Sequence, residues 1–148
     1  MTTRLESFAQ WLENEALGFT IGTNLFVGFI PPKRLDGTDP PARCVVLLEP
    51  GGGAVDIDLR DKMDKAVQVL TRAENYDEAH ADALTIFDRI HGTQGLSLPE
   101  WEAASGMTYV AMLLQAYAPP AEIGREPDSK RFRFSTNYIL TIRDGPVH

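Results

Sequence analysis

Apolar residues recur along this chain in two patterns. One has the spacing of a helix face, and the other alternates every second residue as in a β-strand. Near the N-terminus an apolar stripe follows a capping box formed by Thr3 and Glu6, and Gly18 supplies a helix stop. A second helix is predicted from the cap Asn75 to Gly92, with acidic residues in its first turn. The predicted buried faces are Leu5, Phe8, Ala9, Leu12 and Ala16 in the first helix, and Ala79, Ala83, Ile86, Phe87 and Ile90 in the second.

Strands are indicated by short β-branched runs and by alternation of apolar with polar residues. The predicted strands are residues 23–30, 44–48, 65–72, 107–117 and 131–143, and residues 55–59 have the alternation of a short edge strand or extended arm. The resulting order, α-β-β-β-α-β-β, predicts an α+β fold, with a mostly antiparallel sheet and helices packed on one face.

A length of 148 residues fits a single domain spanning 1–148. Three segments lack periodicity and are predicted as loops: 31–43, 93–106 and 118–131. The last of these contains Pro119, Pro120 and Pro127, which cannot donate to a sheet, so we expect a mobile arm there.

Composition narrows the class of protein further. The sequence has 14 basic and 21 acidic residues, a net charge of -7, which argues against a domain that reads DNA sequence through a basic face. A passive acidic wall past which DNA slides is compatible with it. The single cysteine, Cys44, cannot form an internal disulfide, and neither a signal-peptide pattern nor a membrane-length apolar run is present, so we expect a soluble intracellular protein.

No catalytic, cofactor or metal site is predicted, and we expect no enzyme activity. The triple glycine that begins at Gly51 is followed by Ala54 rather than by the Lys-Ser/Thr of a phosphate loop. Asp56, Asp58 and Asp61 lack the other ligands of a calcium loop, although a weak surface cation site stays open. Three histidines, His80, His91 and His148, show no metal-ligand spacing, and Cys44 lies in an apolar run where thiols are inert.

Two segments carry a more specific signal. The first, QVLTRAENYDEA at 68–79 and continuing through the helix to Gly92, has the form of a strand ending in Arg, a Tyr-containing bend and a helix ending in His-Gly. The second joins APPAEIGRE at 118–126 to RFRFSTNY at 131–138. Together with the first helix and a Pro-Gly-Gly turn, these motifs resemble the tail terminator (tail completion or minor tail) proteins of long-tailed bacteriophages over most of residues 1–143. Glu126-Pro127 departs from the Asp-Glu/Asp of that pattern.

This resemblance implies a virion assembly protein that acts without chemistry. Such proteins form a hexameric ring at the head-proximal end of the tail tube, and their partners are copies of themselves, the tail tube protein and the head connector, with DNA passing through the lumen. The implied location is the virion neck, and the host cytoplasm during assembly. Two alternatives stay open: another head–tail interface ring protein, such as a head-completion protein, and a small α+β ligand-binding domain or enzyme.

A subunit interface is predicted from charge and exposure. Arg72 ends a strand and can leave the sheet to pair with a neighbouring subunit, and Ile123 is an apolar anchor within the arm. The basic residues of this candidate interface are Arg125, Lys130, Arg131 and Arg133, and their expected acidic counterparts on the neighbour are Asp56, Asp58, Asp61 and Asp64. A solvated loop without a partner is the alternative.

Overall fold

The computed structural model describes residues 4–49, 62–91, 94–98, 107–116, 118–127 and 130–146. Within these ranges the order is α-β-β-β-α-β-β-β-β, which contains every element of the predicted order and adds two short strands. The elements are α1 (Arg4–Asn14), β1 (Leu25–Val27), β2 (Cys44–Leu48), β3 (Lys62–Ala73), α2 (Tyr76–Ile90), β4 (Gln94–Leu98), β5 (Met107–Ala116), β6 (Ala121–Arg125) and β7 (Phe132–Pro146).

One mixed, mostly antiparallel sheet contains the seven described strands, with β1-β2-β3-β7-β5-β4 as its main order. The pairing of β1 with β2 is parallel, and the other pairings are antiparallel. Strand β7 pairs along one side with the whole of β3, while its other side is shared by β5 and β6. The long β3–β7 ladder therefore forms the centre of the α+β fold that the sequence predicts.

Both helices contribute to a core on one face of the sheet. The largest cluster joins the apolar stripe of α1 to the C-terminal half of α2 and to inward residues of β2, β3 and β7. A smaller cluster brings Ala79 and Ala83 of α2 against Ala73 and Phe134, where the two alanines allow close approach to the sheet. As predicted, Asn75 caps α2 by accepting a hydrogen bond from the N–H of Asp77 at 2.8 Å.

The opposite face of the sheet, here called the open face, carries no helix among the described residues. Phe26, Cys44 and Val46 are buried there, with Ile30 and Leu48 packed against them. Burial of Cys44, only 1 % exposed, confirms the prediction that it is a core residue. None of the helices in the described ranges combines the length and the apolar character needed to cross a bilayer.

Two of the three predicted loops contain strands. In segment 93–106, residues Gln94–Leu98 form β4 beside β5, because β5 has an unpaired edge that even a five-residue segment can satisfy. In segment 118–131, Ala121–Arg125 form β6 beside β7. The prolines bracket that strand rather than interrupt it, so its N–H groups are available for pairing, and a hairpin is found where the sequence predicts a loop. That this segment is mobile in the free protein stays a prediction. Segment 31–43 contains no helix or strand.

Several expectations fall on residues that the structure does not describe. These are the cap residue Thr3, the edge strand at 55–59, and the helix stop Gly92. The C-cap of α2 is His91, whose N–H donates to the Phe87 carbonyl oxygen at 3.0 Å.

Candidate functional site: a polar pocket on the open sheet face

The open face carries three arginines of the predicted interface around one pocket. Arg72 of β3 and Arg133 of β7 are register partners, so two like charges stand opposite one another on adjacent strands. Such a pair is unfavourable unless counter-charges or hydrogen-bond acceptors compensate it. The surroundings of each guanidinium therefore decide what this face can bind.

The positive charge of Arg72 is balanced by acceptor groups of its own subunit. The arginine side chain is buried, Nε donates to the Ala42 carbonyl oxygen at 3.1 Å, and Nη2 donates to the Pro41 carbonyl oxygen at 2.9 Å. Nη1 lies 3.3 Å from Oε1 of Glu126, at ion-pair distance. The sequence predicts that Arg72 reaches a neighbouring subunit, whereas the structure directs it to loop 31–43 of the same subunit. The reason is that strand β3 continues to Ala73, so Arg72 does not project from a strand end.

Glu126 and Arg133 leave two buried polar atoms without hydrogen bonds among the described residues. Oε1 of Glu126 meets the distance for an ion pair with Arg72, but no hydrogen bond of acceptable geometry reaches it. Nε of Arg133 is equally buried and has no acceptor. One atom is an acceptor and the other is a donor, and such groups cost free energy while they stay unpaired.

Both residues line a pocket of about 220 Å³ whose remaining wall is mainly aliphatic. The aliphatic lining comes from Ile30, Val46, Leu48 and Leu70. An apolar pocket with a few convergent polar groups is the usual form of a binding site. Arg131 lies beside it, in an adjoining recess of about 300 Å³ that shares Ile30 and Arg72 with the pocket.

The remaining basic residues of the predicted interface lie in the β6–β7 hairpin. Arg125 stacks over the ring of Phe132, with 4.6 Å between its guanidinium carbon and the ring centroid, and its Nε donates to the Lys130 carbonyl oxygen at 3.0 Å. Lys130 is exposed, with a positive φ of 58°. Ile123 lies on β6 with 43 % of its surface exposed. The hairpin thus presents the aliphatic side chain of Ile123 together with exposed charged side chains at the edge of the sheet.

The predicted acidic counterparts are largely outside the described residues. Asp56, Asp58 and Asp61 lie there, and Asp64 is placed on β3 opposite Thr141. The structure therefore brings Arg72, Arg131 and Arg133 together and leaves the aspartate part of the interface as a prediction.

Sequence reasoning missed the ordered turn at residues 33–39, which lies in loop 31–43. The N–H of Arg34 donates to the Thr38 carbonyl oxygen at 2.8 Å, and the Asp36 carboxylate accepts from both the N–H and the hydroxyl of Thr38. An ion pair between Lys33 and Asp39 closes the base of the turn. Leu35, at its tip, is fully exposed. Asp-Gly at 36–37 is a turn signal in the sequence, but it does not show that the turn is ordered or that it presents a leucine.

Cys44, His80 and His91 are held in packing and hydrogen-bond contacts within the fold. Burial raises the pKa of the Cys44 thiol, although nearby Arg72 acts in the opposite direction, so the thiolate is disfavoured. His91 stacks on Phe87, and its Nδ1 accepts the N–H of Ala116 at 3.0 Å. His80 packs against Phe134 with ring centroids 5.1 Å apart. Over the described ranges, no three His, Cys, Asp or Glu side chains are grouped so that they could hold a metal ion.

A scan against protein-family models finds no matching family, and the sequence matches none of the curated proteins.

Proposed function

We propose that this chain is a virion assembly protein of the tail terminator kind. In this role it caps the head-proximal end of a phage tail tube as a ring and then receives the head connector, acting through surface complementarity rather than through chemistry. The proposal starts from the sequence resemblance, and one structural observation supports it further.

That observation is the meeting of the two resembling segments, which are about sixty residues apart in the sequence. Strand residues 68–73 of the first pair in register with residues 132–137 of the second. Gln68 donates through Nε2 to the Ser135 hydroxyl at 2.8 Å. Arg72 contacts Glu126, and Tyr76 packs edge-on to Phe132 and Phe134. Motifs that were matched separately therefore form one continuous unit, as expected if they belong to a single family pattern.

The surface of this unit suits assembly. Strand β6 is an exposed five-residue edge carrying Ile123, and exposed edges pair readily with other chains unless they are protected. Leu35 and Phe29 add two exposed apolar side chains in the segments that lead from β1 into loop 31–43. A protein that functions by docking needs such features, whereas a free monomer gains nothing from them.

The experiment is a deletion of the coding sequence in the phage or prophage that carries it. Without a terminator, tail tubes should lack a defined end and heads should remain unjoined, both visible by electron microscopy. Complementation with the wild-type protein should restore joined particles, and a labelled copy should locate at the neck. Normal particles after deletion would contradict the proposal. A neck ring in which this protein is not at the tube end would favour the head-completion alternative.

A further inference from the structure

The turn at residues 33–39 holds Leu35 in a fixed position in which it makes no packing contact with its own subunit. Leu35 is 105 % exposed, so its side chain is not packed against its own subunit. Neither its N–H nor its carbonyl oxygen takes part in a hydrogen bond with the described residues. A single exposed leucine on a loose loop needs no explanation. Here, however, the turn around it is fixed by hydrogen bonds among Arg34, Asp36 and Thr38.

Leu35 has features that complement the open-face pocket. The pocket has an aliphatic wall without an occupant, a buried donor at Nε of Arg133, and a buried acceptor at Oε1 of Glu126. Leu35 offers an aliphatic side chain for the wall of the pocket. Its backbone carbonyl oxygen and N–H can pair with Nε of Arg133 and Oε1 of Glu126 once side-chain rotations bring these two buried atoms to the pocket surface. A cavity of about 150 Å³ already accommodates benzene, so a pocket of about 220 Å³ has room for one leucine side chain.

The charges next to Leu35 match as well. Asp36 follows it directly, with 63 % of its side chain exposed, whereas the side chain of Arg34, which precedes Leu35 and lies 3.9 Å from the Asp36 carboxylate, is 23 % exposed. The carboxylate is therefore the more accessible of the two charges. Arg131 and Arg133 lie beside the pocket and have no carboxylate partner among the described residues, so they can attract this aspartate. The attraction matters because two copies of a protein with a net charge of -7 otherwise repel one another.

We propose that Leu35 of one subunit inserts into the Arg133–Glu126 pocket of a second copy of this chain. The two surfaces differ, so the contact can repeat head-to-tail and generate a ring or a filament, whereas a reciprocal exchange between two copies would close a two-fold dimer. The ring of the proposed function requires the head-to-tail form. The inference rests on the proposed assembly function and deepens it, since it names the residues of one subunit–subunit contact.

Disulfide trapping tests the contact directly. In a Cys44→Ala background, Leu35→Cys and Leu48→Cys are purified separately, mixed in equal amounts and oxidised. The expected product is a disulfide-linked heterodimer, formed about tenfold or more above a control mixture of Tyr76→Cys with Leu48→Cys. Tyr76 is 42 % exposed, but it packs against Phe134 on the helix-covered face. The double variant should give a ladder of higher oligomers. Cross-linking no greater than in the control, or Leu35 homodimers as the main product, would overturn the proposal.

Sedimentation equilibrium gives a second, independent measurement. Leu35→Asp should raise the dissociation constant of self-association about tenfold or more, because a carboxylate is not accepted by the aliphatic pocket. Leu35→Met should associate like the wild type, because methionine also fills an aliphatic pocket. The unfolding midpoint of the monomer should be the same in the wild type and both variants. Unchanged association in Leu35→Asp would refute the contact.

The two proposals can fail separately. Neck rings that survive Leu35→Asp would retain the terminator function and exclude this contact. Specific Leu35–Leu48 cross-links in a protein whose deletion leaves particles normal would retain the contact and exclude the terminator function.

Discussion

Asp82 of α2 binds both Nε and Nη2 of Arg43, at 2.9 and 2.8 Å, in a bidentate ion pair that joins the start of β2 to the helix. The carboxylate is almost buried, whereas half of the arginine side chain is exposed. The hydrogen bond from Arg43 to Asp82 is the main reason that the pKa of Arg43 is raised above its ordinary value. The pair lies at the point where loop 31–43 enters the sheet, and therefore helps to fix the loop that carries Leu35.

Removing this ion pair should destabilise the fold. Asp82→Ala is expected to lower the free energy of unfolding by about 1–2 kcal/mol, because it breaks two charge-assisted hydrogen bonds while water can still solvate part of Arg43. Urea denaturation measures the change. The matched control is Asp88→Ala in the same helix, an exposed position where the expected change is within about 0.5 kcal/mol. Equal effects at both positions would show that helix propensity, not the ion pair, is responsible.

Arg72 should not tolerate replacement by lysine. A lysine ammonium cannot reproduce the fork that reaches the carbonyl oxygens of Pro41 and Ala42, so Arg72→Lys is expected to cost about 1–3 kcal/mol of stability. Arg131→Lys, which retains charge at a less buried position, should change stability by about 0.5 kcal/mol or less. Thermal and urea unfolding of the two variants provide the comparison. A neutral Arg72→Lys would mean that the charge alone is required there.

The turn that presents Leu35 should respond to acid through Asp36. Hydrogen bonds from the Thr38 hydroxyl and N–H hold the pKa of Asp36 below its ordinary value of 3.8. Because the folded pKa is the lower one, this stabilisation is complete above the ordinary value and is lost as the pH falls through the folded value. Carboxyl carbon NMR titration should show it directly. Thr38→Val should move the pKa of Asp36 back toward 3.8, while Asp39, whose pKa is lowered by Lys33, should titrate as before. A shift of both residues would indicate that the whole turn had rearranged.

Tyr138 should limit stability at alkaline pH. Its side chain is fully buried, its hydroxyl has no hydrogen bond of good geometry among the described residues, and burial raises its pKa even though nearby Thr136 acts to lower it. Because the folded pKa is the higher one, its contribution is complete below the unfolded value near 10 and declines as the pH rises beyond it.

Tyr138→Phe is therefore expected to be neutral or to stabilise by up to about 1 kcal/mol at pH 7, since it removes an unpaired buried hydroxyl. It should also change the pH dependence of the melting temperature between about pH 9 and 11, because the phenol no longer titrates. Tyr76→Phe, at a half-exposed position, is the control and should leave the alkaline profile unchanged. An alkaline profile that persists unchanged in Tyr138→Phe would assign the effect to another group, and the Cys44 thiol, also with a raised pKa, is the next to test.

Elements whose signal is local can be predicted from the order of the residues. Side-chain spacing identified the buried face of α2, and the cap at Asn75 follows from a hydrogen bond that spans two residues. The apolar run at Cys44–Leu48 was long enough to indicate a buried strand. These features depend on neighbours in the sequence, and the α+β class follows from their order.

Which polar groups come into contact depends on the fold of the whole chain. Strands β4 and β6 are only five residues long and form because β5 and β7 have edges to satisfy, which no local pattern records. The sequence predicts that Arg72 contacts a partner, but in the fold its guanidinium donates to carbonyl oxygens of loop 31–43. The open-face pocket needs Glu126 and Arg133 to lie beside residues of β2 and β3. A charge's role depends on the groups that surround it in space, and those groups come from segments that are remote in the sequence.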